Sequence, residues 1–309
     1  VSYRPPSAPG LGLLIGVAGG VLLGLAVLAD PAPPAGGQLP RRPDRSPYAD
    51  AVLADRPVAY WRLGEGPGAT AAADASGHGH HGRYHGQPRL GQPGALAGDA
   101  DTALGLGGPR ARSYVEVPAR EAFGVAASGE GLSVEVWLRP DALTFAGEQG
   151  KDPKNPYIHW LGKGEAGAQE WGFRFYTDAA ADRPNRISAY VWNADGGEGA
   201  GAYVEDRLTR HRWVHLVATY DDPGRPDAQV RIYRDGVASP HNGGPGTLYR
   251  SYHVKPAAGP APVRLGTRDL GSFLTGGLDE VAVYPYVLTP ERVREHWRLG
   301  SGAAHPGGR

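Results

Sequence analysis

Gly276-Gly277-Leu278-Asp279-Glu280-Val281-Ala282-Val283-Tyr284, continued by residues 285–290 (PYVLTP) and 291–297 (ERVREHW), is the stretch that decides the fold. Its first part alternates, so Leu278, Glu280, Ala282 and Tyr284 are expected on one face of a strand and Asp279, Val281 and Val283 on the other. Apolar residues on both faces predict a strand covered on both sides. The second part changes period. Thr289 stands where an N-cap belongs, Pro290 at the first helical position and Glu291 in the first turn, near the positive end of the helix dipole. Val293 and Trp297 then fall four apart on one helix face. Arg292 occupies the place of the reciprocal acid, so the cap is a simple one. A buried strand locked by a short amphipathic helix reads as the closing element of a mostly-β domain.

Lys plus Arg and Asp plus Glu number 32 each among 309 residues, giving zero formal net charge and no electrostatic reason to expect nucleic acid or an acidic membrane surface as partner. Glycine (48) and proline (29) are abundant without a Gly-x-y period, which excludes collagen and predicts many tight turns. Cysteine is absent, which removes disulfides, thiolate metal sites and cysteine nucleophiles together.

Outward from the closing strand, residues 48–300 read as one domain. Before it, residues 11–29 (LGLLIGVAGGVLLGLAVLA) form an uncharged run long enough to span a bilayer as a helix, or to serve as the apolar part of a signal peptide. Both readings stay open, so the domain is expected either anchored at a membrane on its outer side or secreted. Residues 30–47 are a proline-rich tether, and 301–309 a polar tail. Inside the domain, short β signals recur at 59–63, 103–107, 113–117, 132–138, 157–161, 170–177, 186–193, 213–220, 229–234 and 263–266. Asp235-Gly236 marks a tight hairpin. No helical pattern of more than about ten residues separates them, which argues against a parallel βαβ sheet. The expected fold is all-β: a two-sheet antiparallel jelly-roll sandwich with a short C-terminal helix.

Few residues form a catalytic pattern. A glycosidase needs two carboxylates flanking one bond, but Asp279 and Glu280 are neighbours on a strand and point apart. Glu116 and Glu135 read as solvent-facing acids. A Gly-x-Ser-x-Gly elbow is missing. His78, His80, His81 and His85 are dense enough for a transition metal, yet the glycines between them favour turn geometry. His215 reads as a buried, hydrogen-bonded core histidine. Calcium is better served: residues 74–82 offer Asp74 and several freely turning carbonyls, and Asp279 offers a second carboxylate. The alternative is that Asp74 caps its own turn and Asp279 faces solvent or a neighbouring loop. Long connections at 141–156, 195–201 and 240–259 are places for a binding surface. Tyr249, Tyr252 and Trp192 are the candidate ligand-stacking rings.

The ordered set Tyr60-Trp61-Arg62-Leu63-Gly64-Glu65, Asp74-Ala75-Ser76-Gly77-His78-Gly79-His80-His81-Gly82, Tyr114-Val115-Glu116-Val117-Pro118, Leu132-Ser133-Val134-Glu135-Val136-Trp137, residues 213–221 (WVHLVATYD), residues 232–236 (IYRDG) and the closing strand resembles the laminin-G-like, concanavalin A-like jelly-roll family. The resemblance covers about residues 48–300. It implies two antiparallel sheets, a home outside the cytoplasm, a calcium role for Asp74 and Asp279, and core roles for Trp61, Trp137, Trp213 and Tyr284. His78 and His80 stand where the family usually has asparagine, which weakens a side-chain ligand there. The function expected is a non-catalytic binding module for a polysaccharide, carrying a structural Ca²⁺. A structural or protein-contact domain of the cell envelope is the second reading, and a glycan-active hydrolase a remote third.

Overall fold

The computed structural model describes residues 46–125, 127–147, 152–165, 167–192, 199–221, 229–241, 256 and 259–303. The apolar stretch 11–29, most of the proline-rich tether, Tyr249 and Tyr252 lie outside the described residues.

Two antiparallel sheets form the body. The first runs, edge to edge, β14 (Val237–Ala238), β13 (Val230–Arg234), β12 (Val214–Tyr220), β7 (Leu132–Pro140), β16 (Thr275–Tyr284), β5 (Thr102–Gly107) and β4 (Arg89–Pro93), with β1 (Ala59–Trp61) also paired on β16. The second runs β11 (Gly199–Val204), β10 (Ile187–Trp192), β9 (Ala168–Tyr176), β8 (Tyr157–Glu165), β15 (Val263–Leu265), β6 (Tyr114–Val117), β3 (Gly82–His85) and β2 (Ala71–Ala72). Alternate residues of facing strands meet in one core: Val134, Val136 and Leu138 from β7 pack in the same cluster as Trp171, Phe173 and Phe175 from β9. This is the all-β sandwich that the alternation predicts. β16 lies inside its sheet, between β7 and β5, and β1 pairs with it so that Trp61 faces Val281.

Inside β16 the simple alternation breaks. Asp279 pairs with Trp137 but Ala282 pairs with Glu135, so one extra residue is inserted, and Glu280 takes a left-handed φ of +51°. The bulge changes the strand's phase. Leu278, Val281 and Val283 face the core between the sheets, whereas Ala282 and Tyr284 face the opposite side. The expected common face of Leu278, Glu280, Ala282 and Tyr284 is therefore corrected by a single bulged residue.

Two helices cover part of the first sheet's outer face. α1 (Pro47–Ala54) starts at Ser46, whose hydroxyl accepts the Ala49 N–H at 3.3 Å. A short turn, α2 (Gly108–Ala111), follows β5. α3 (Pro290–Ser301) begins as its sequence requires: Thr289 Oγ1 accepts the Arg292 N–H at 3.3 Å, Pro290 opens the helix, and Gly302 ends it at φ +69°. Tyr48, Val52, Val293, Trp137 and Tyr284 close a second apolar cluster under these helices. That cover accounts for a further correction. Glu135, read as solvent-facing, is fully buried beneath α1 and α3, and accepts hydrogen bonds from the hydroxyls of Tyr48 at 2.9 Å and Tyr284 at 2.7 Å. His215 is the core histidine expected, 2.7 Å from Glu135 through Nε2. Trp61, Trp137 and Tyr284 are core residues, but Trp213 is only half-buried, under the Arg139 guanidinium at 5.0 Å.

Candidate functional site

The glycine-rich turn after β2 is built round Asp74. Its Oδ1 accepts the backbone N–H groups of Tyr60 (3.0 Å) and Ser76 (2.9 Å), and its Oδ2 that of His80 (2.8 Å). Burial works against the charge, but the Ser76 hydroxyl and these N–H groups outweigh it and hold the carboxyl below its ordinary range. The turn in turn braces β1, since Trp61 Nε1 donates to the His80 carbonyl at 2.7 Å. Three backbone N–H donors and the Ser76 hydroxyl thus bind Asp74 into its own turn.

Asp279 is a different case. It is buried, Oδ2 accepts the Ala95 N–H at 2.7 Å, and Oδ1 meets no hydrogen-bond donor. Burial first, then the neighbouring Glu280, pushes its carboxyl well above the usual range. Glu280 is turned by the bulge onto Arg62, whose Nη2 lies 2.9 Å from Oε1, and it also accepts the Tyr60 hydroxyl. Arg62 further pairs with Asp99 at 2.6 Å and Asp101 at 3.0 Å. The expected pairing of Asp74 with Asp279 thus joins a carboxylate held by its own turn to one that keeps an oxygen without a donor. Of these two carboxylates, Asp279 is the one with a buried oxygen that meets no donor. Among the described residues no three His, Asp or Glu side chains converge as a metal set; His78 and His80 stack at 6.2 Å but gather no third ligand.

The third expected residue, Trp192, lies on the outer face of the second sheet. Period two sorts β10: Ile187, Ala189 and Val191 join the core, leaving Ser188, Tyr190 and Trp192 on the outer face. Opposite them on β9 stands Arg174, paired with Ser188 and with His159 of β8. The Arg174 guanidinium lies 4.7 Å from the ring centre of Tyr157, 4.6 Å from that of Tyr190 and 5.9 Å from that of Trp192, and donates through Nε to His159 Nε2 at 3.1 Å. On the other side of Tyr190, Arg268 reaches across the paired glycines Gly162 and Gly172 to the tyrosine hydroxyl and is ion-paired with Asp269. A Cβ on Gly172 would sit 3.3 Å from Arg268 Cδ, so the bare backbone lets the arginine lie flat on the sheet. Trp192 and Arg174 are partly exposed; Tyr190, His159 and Arg268 are buried. The result is an aromatic face with cationic groups set among its rings, an arrangement suited to stacking and hydrogen-bonding a ring-shaped polar ligand. The sequence singles out Trp192 but not Arg174, Tyr190 or Arg268; of these, the outward period of β10 signals Tyr190 alone.

The comparisons agree with this architecture. Residues 109–294 match the laminin-G-type family described as the concanavalin A-like lectin/glucanases superfamily. No curated protein sequence matches the chain. Among solved structures, the receptor-binding domain of botulinum neurotoxin mosaic serotype C/D is 11% identical with a TM-score of 0.54, covering 80% of this chain and 51% of that one. The binding domain of botulinum neurotoxin DC in complex with rat synaptotagmin II is 11% identical with a TM-score of 0.55, covering 80% and 52%. Domain 4 of AbnA, a GH43 extracellular arabinanase from Geobacillus stearothermophilus in complex with arabinotriose, is 19% identical at a TM-score of 0.48, covering 80% and 98%. The chain thus spans about half the length of the neurotoxin chains it matches, and at such identities the likeness is one of fold. With the sandwich, the closing strand and the family signature over residues 109–294 all in agreement, the chain belongs to the concanavalin A-like lectin/glucanase superfamily of laminin-G-type domains.

Proposed function

We propose that this domain is a non-catalytic binding module that works outside the cytoplasm and takes a carbohydrate chain on the outer face of its second sheet. The observation that carries the reading is Trp192, partly exposed on that face with its ring 6.0 Å from Tyr190 and 5.9 Å from the Arg174 guanidinium. Sugars present apolar C–H faces to such rings and hydroxyls to planar donors such as guanidinium. The grouping that most resembles acid–base machinery, Glu135 with His215 and His296, supports the non-catalytic side, because all three are fully buried beneath α1 and α3. A substrate has no path to it without removing a helix. The extracytoplasmic placement rests on the apolar stretch 11–29; no helix among the described residues is long and apolar enough to cross a membrane. The calcium proposal narrows to Asp279, the one candidate with an undonated oxygen.

The test is a glycan-array screen of the full chain in calcium, repeated with Trp192→Ala, Tyr249→Ala and Tyr252→Ala. Binding to a defined glycan class, abolished by Trp192→Ala with an unchanged melting temperature, is the expected result. Binding that survives Trp192→Ala moves the site elsewhere on the fold. A silent array overturns the carbohydrate reading in favour of protein contact.

A further inference from the structure

On the outer face of the first sheet, beyond the cover of α1 and α3, one rung crosses four strands. Arg139 of β7 pairs with Gly277 of β16, Gly277 with Gly105 of β5, and Gly105 with Arg89 of β4. The residues next to them in sequence, Leu138, Leu278, Leu104 and Leu106, face the core, so all four rung positions face outward. Trp213, one residue before β12, continues the rung beside Arg139.

Two arginines therefore flank two adjacent glycines, and the bare backbone lets the side chains lean inward. A Cβ on Gly277 would lie 2.9 Å from the Trp213 ring and 3.2 Å from Arg139 Cζ, and one on Gly105 3.2 Å from Arg89 Cβ. Both guanidinium groups turn to Asp141, Arg139 at 2.9 Å and Arg89 at 3.8 Å. The loop before β12 adds Arg210, whose Nε donates to the Asp141 carbonyl at 3.0 Å, His211 at 3.0 Å from Asp141 Oδ1, and Arg212. Arg89, Arg210, His211 and Arg212 are exposed and Trp213 is half-exposed. Among the described residues of this patch, four guanidinium groups stand against one carboxylate, which is already engaged by Arg139 and His211. The chain as a whole has zero net charge, so the surplus is local to this rung.

We propose that this rung is a second binding surface, independent of the Trp192 face, and that it takes an anionic polysaccharide through its carboxylate or sulfate groups. Guanidinium forks match both anions with paired N–H donors, and Trp213 supplies a ring edge beside them for the sugar that carries the charge. A duplex nucleic acid, with one charge per about 1.7 Å of axis, is held by a long basic stripe; here the charge is confined to one rung and one loop. That favours a chain whose charges are spaced by neutral sugar atoms.

The experiment passes the full chain over immobilised polygalacturonate, the same polymer methyl-esterified, dextran sulfate, plain dextran and double-stranded DNA, at increasing sodium chloride. Retention on one or both charged polysaccharides, lost on their neutral counterparts and weakened by salt, is expected, and the two charged polymers separate carboxylate from sulfate recognition. The triple variant Arg89→Gln, Arg210→Gln, Arg212→Gln is expected to lose affinity by roughly tenfold or more, while Arg120→Gln, an exposed arginine elsewhere, leaves it unchanged. Melting temperatures of all variants establish that they are folded. Unchanged binding by the folded triple variant, equal retention on neutral polymers, preference for DNA, or no retention on either charged polysaccharide would each overturn the proposal. The glycan array with Trp192→Ala judges the other face separately.

Discussion

His296 Nδ1 of α3 lies 3.0 Å from Glu135 Oε2 of β7, and both side chains are fully buried. On its other side the same ring places Nε2 3.2 Å from Asp55 Oδ2, just past the end of α1. One imidazole thus joins the closing helix to the sheet and to the first helix, between two carboxylates.

That placement makes stability depend on pH in a definite direction. Burial lowers the His296 pKa, but Glu135 and Asp55 outweigh it and raise it from 6.5 to about 9. A pKa raised in the folded state contributes stability that is complete below the unfolded value and is lost as pH rises through the folded one. The loss is expected between about pH 6.5 and 9, on the order of 3 kcal/mol. Melting temperatures of the wild type should fall across that window, and those of His296→Gln should fall less. Parallel curves for the two proteins would show that the imidazole is neutral in the folded state.

Glu135 is the acceptor for that whole group: Tyr48, Tyr284, His215 and His296 all address one carboxylate. Its burial opposes ionisation, yet His296 and His215 hold its pKa well below the ordinary range. Glu135→Ala leaves two buried tyrosine hydroxyls without their acceptor and His296 with Asp55 as its one carboxylate partner, and is expected to cost about 3–5 kcal/mol in urea unfolding. Glu135→Gln, which keeps the shape and one acceptor oxygen, should cost less. A loss under about 1 kcal/mol for the alanine variant would mean that water replaces the carboxylate.

These relationships explain which parts of the fold were legible beforehand. The helix start at Thr289–Pro290 and the interior position of β16 are signalled by residues adjacent in sequence, and both were read correctly. The bulge at Glu280 was not, because Leu278-Asp279-Glu280-Val281-Ala282 alternates without fault; the extra residue appears only against the register of β7. The start of β11 lies within the expected connection 195–201, since its glycines 199 and 201 mimic a turn although they occupy the outward positions of a strand. Glu135 looked like a surface acid because its cover comes from α3, some 160 residues later in the chain. On the proposed binding face, Trp192 is legible as an aromatic beside a long connection. Arg268 was not, because it belongs to the turn after β15 and reaches Tyr190 across two glycines on other strands.

Gly300 gives a test of how closely α3 is seated. Glycine within a helix normally costs about 1 kcal/mol against alanine, so Gly300→Ala would ordinarily be stabilising. Here the new Cβ would lie 2.5 Å from Trp137 Cζ2 and 3.0 Å from Tyr48 Cδ2, both in the packed layer under the helix. Overpacking of that kind is expected to reverse the sign, with a net loss of about 1–3 kcal/mol. A rise in melting temperature for Gly300→Ala would show that the helix rides higher than this contact allows.

Asp279 separates a proton from a cation at the heart of the closing strand. Its Oδ1 is buried without a donor, and burial together with Glu280 raises its pKa well above the usual value. Left to the protein alone, such a group favours folding only while protonated, so its contribution is lost as pH rises from the unfolded carboxylate range through the folded value. Asp279→Asn, neutral at every pH and able to keep the acceptor for Ala95, is then expected to be neutral or stabilising at pH 7 in a chelator. A bound Ca²⁺ reverses the balance, because an ion that binds only the folded state raises the melting temperature by mass action and needs the ionised carboxylate. The calcium proposal therefore predicts that calcium raises the wild-type midpoint relative to chelator, and that the increment shrinks in Asp279→Asn. Asp74→Asn should weaken the turn at His80 while leaving the calcium increment intact, because its oxygens face backbone donors. Equal wild-type midpoints with calcium and with chelator would remove the ion and leave Asp279 a buried, protonated acid.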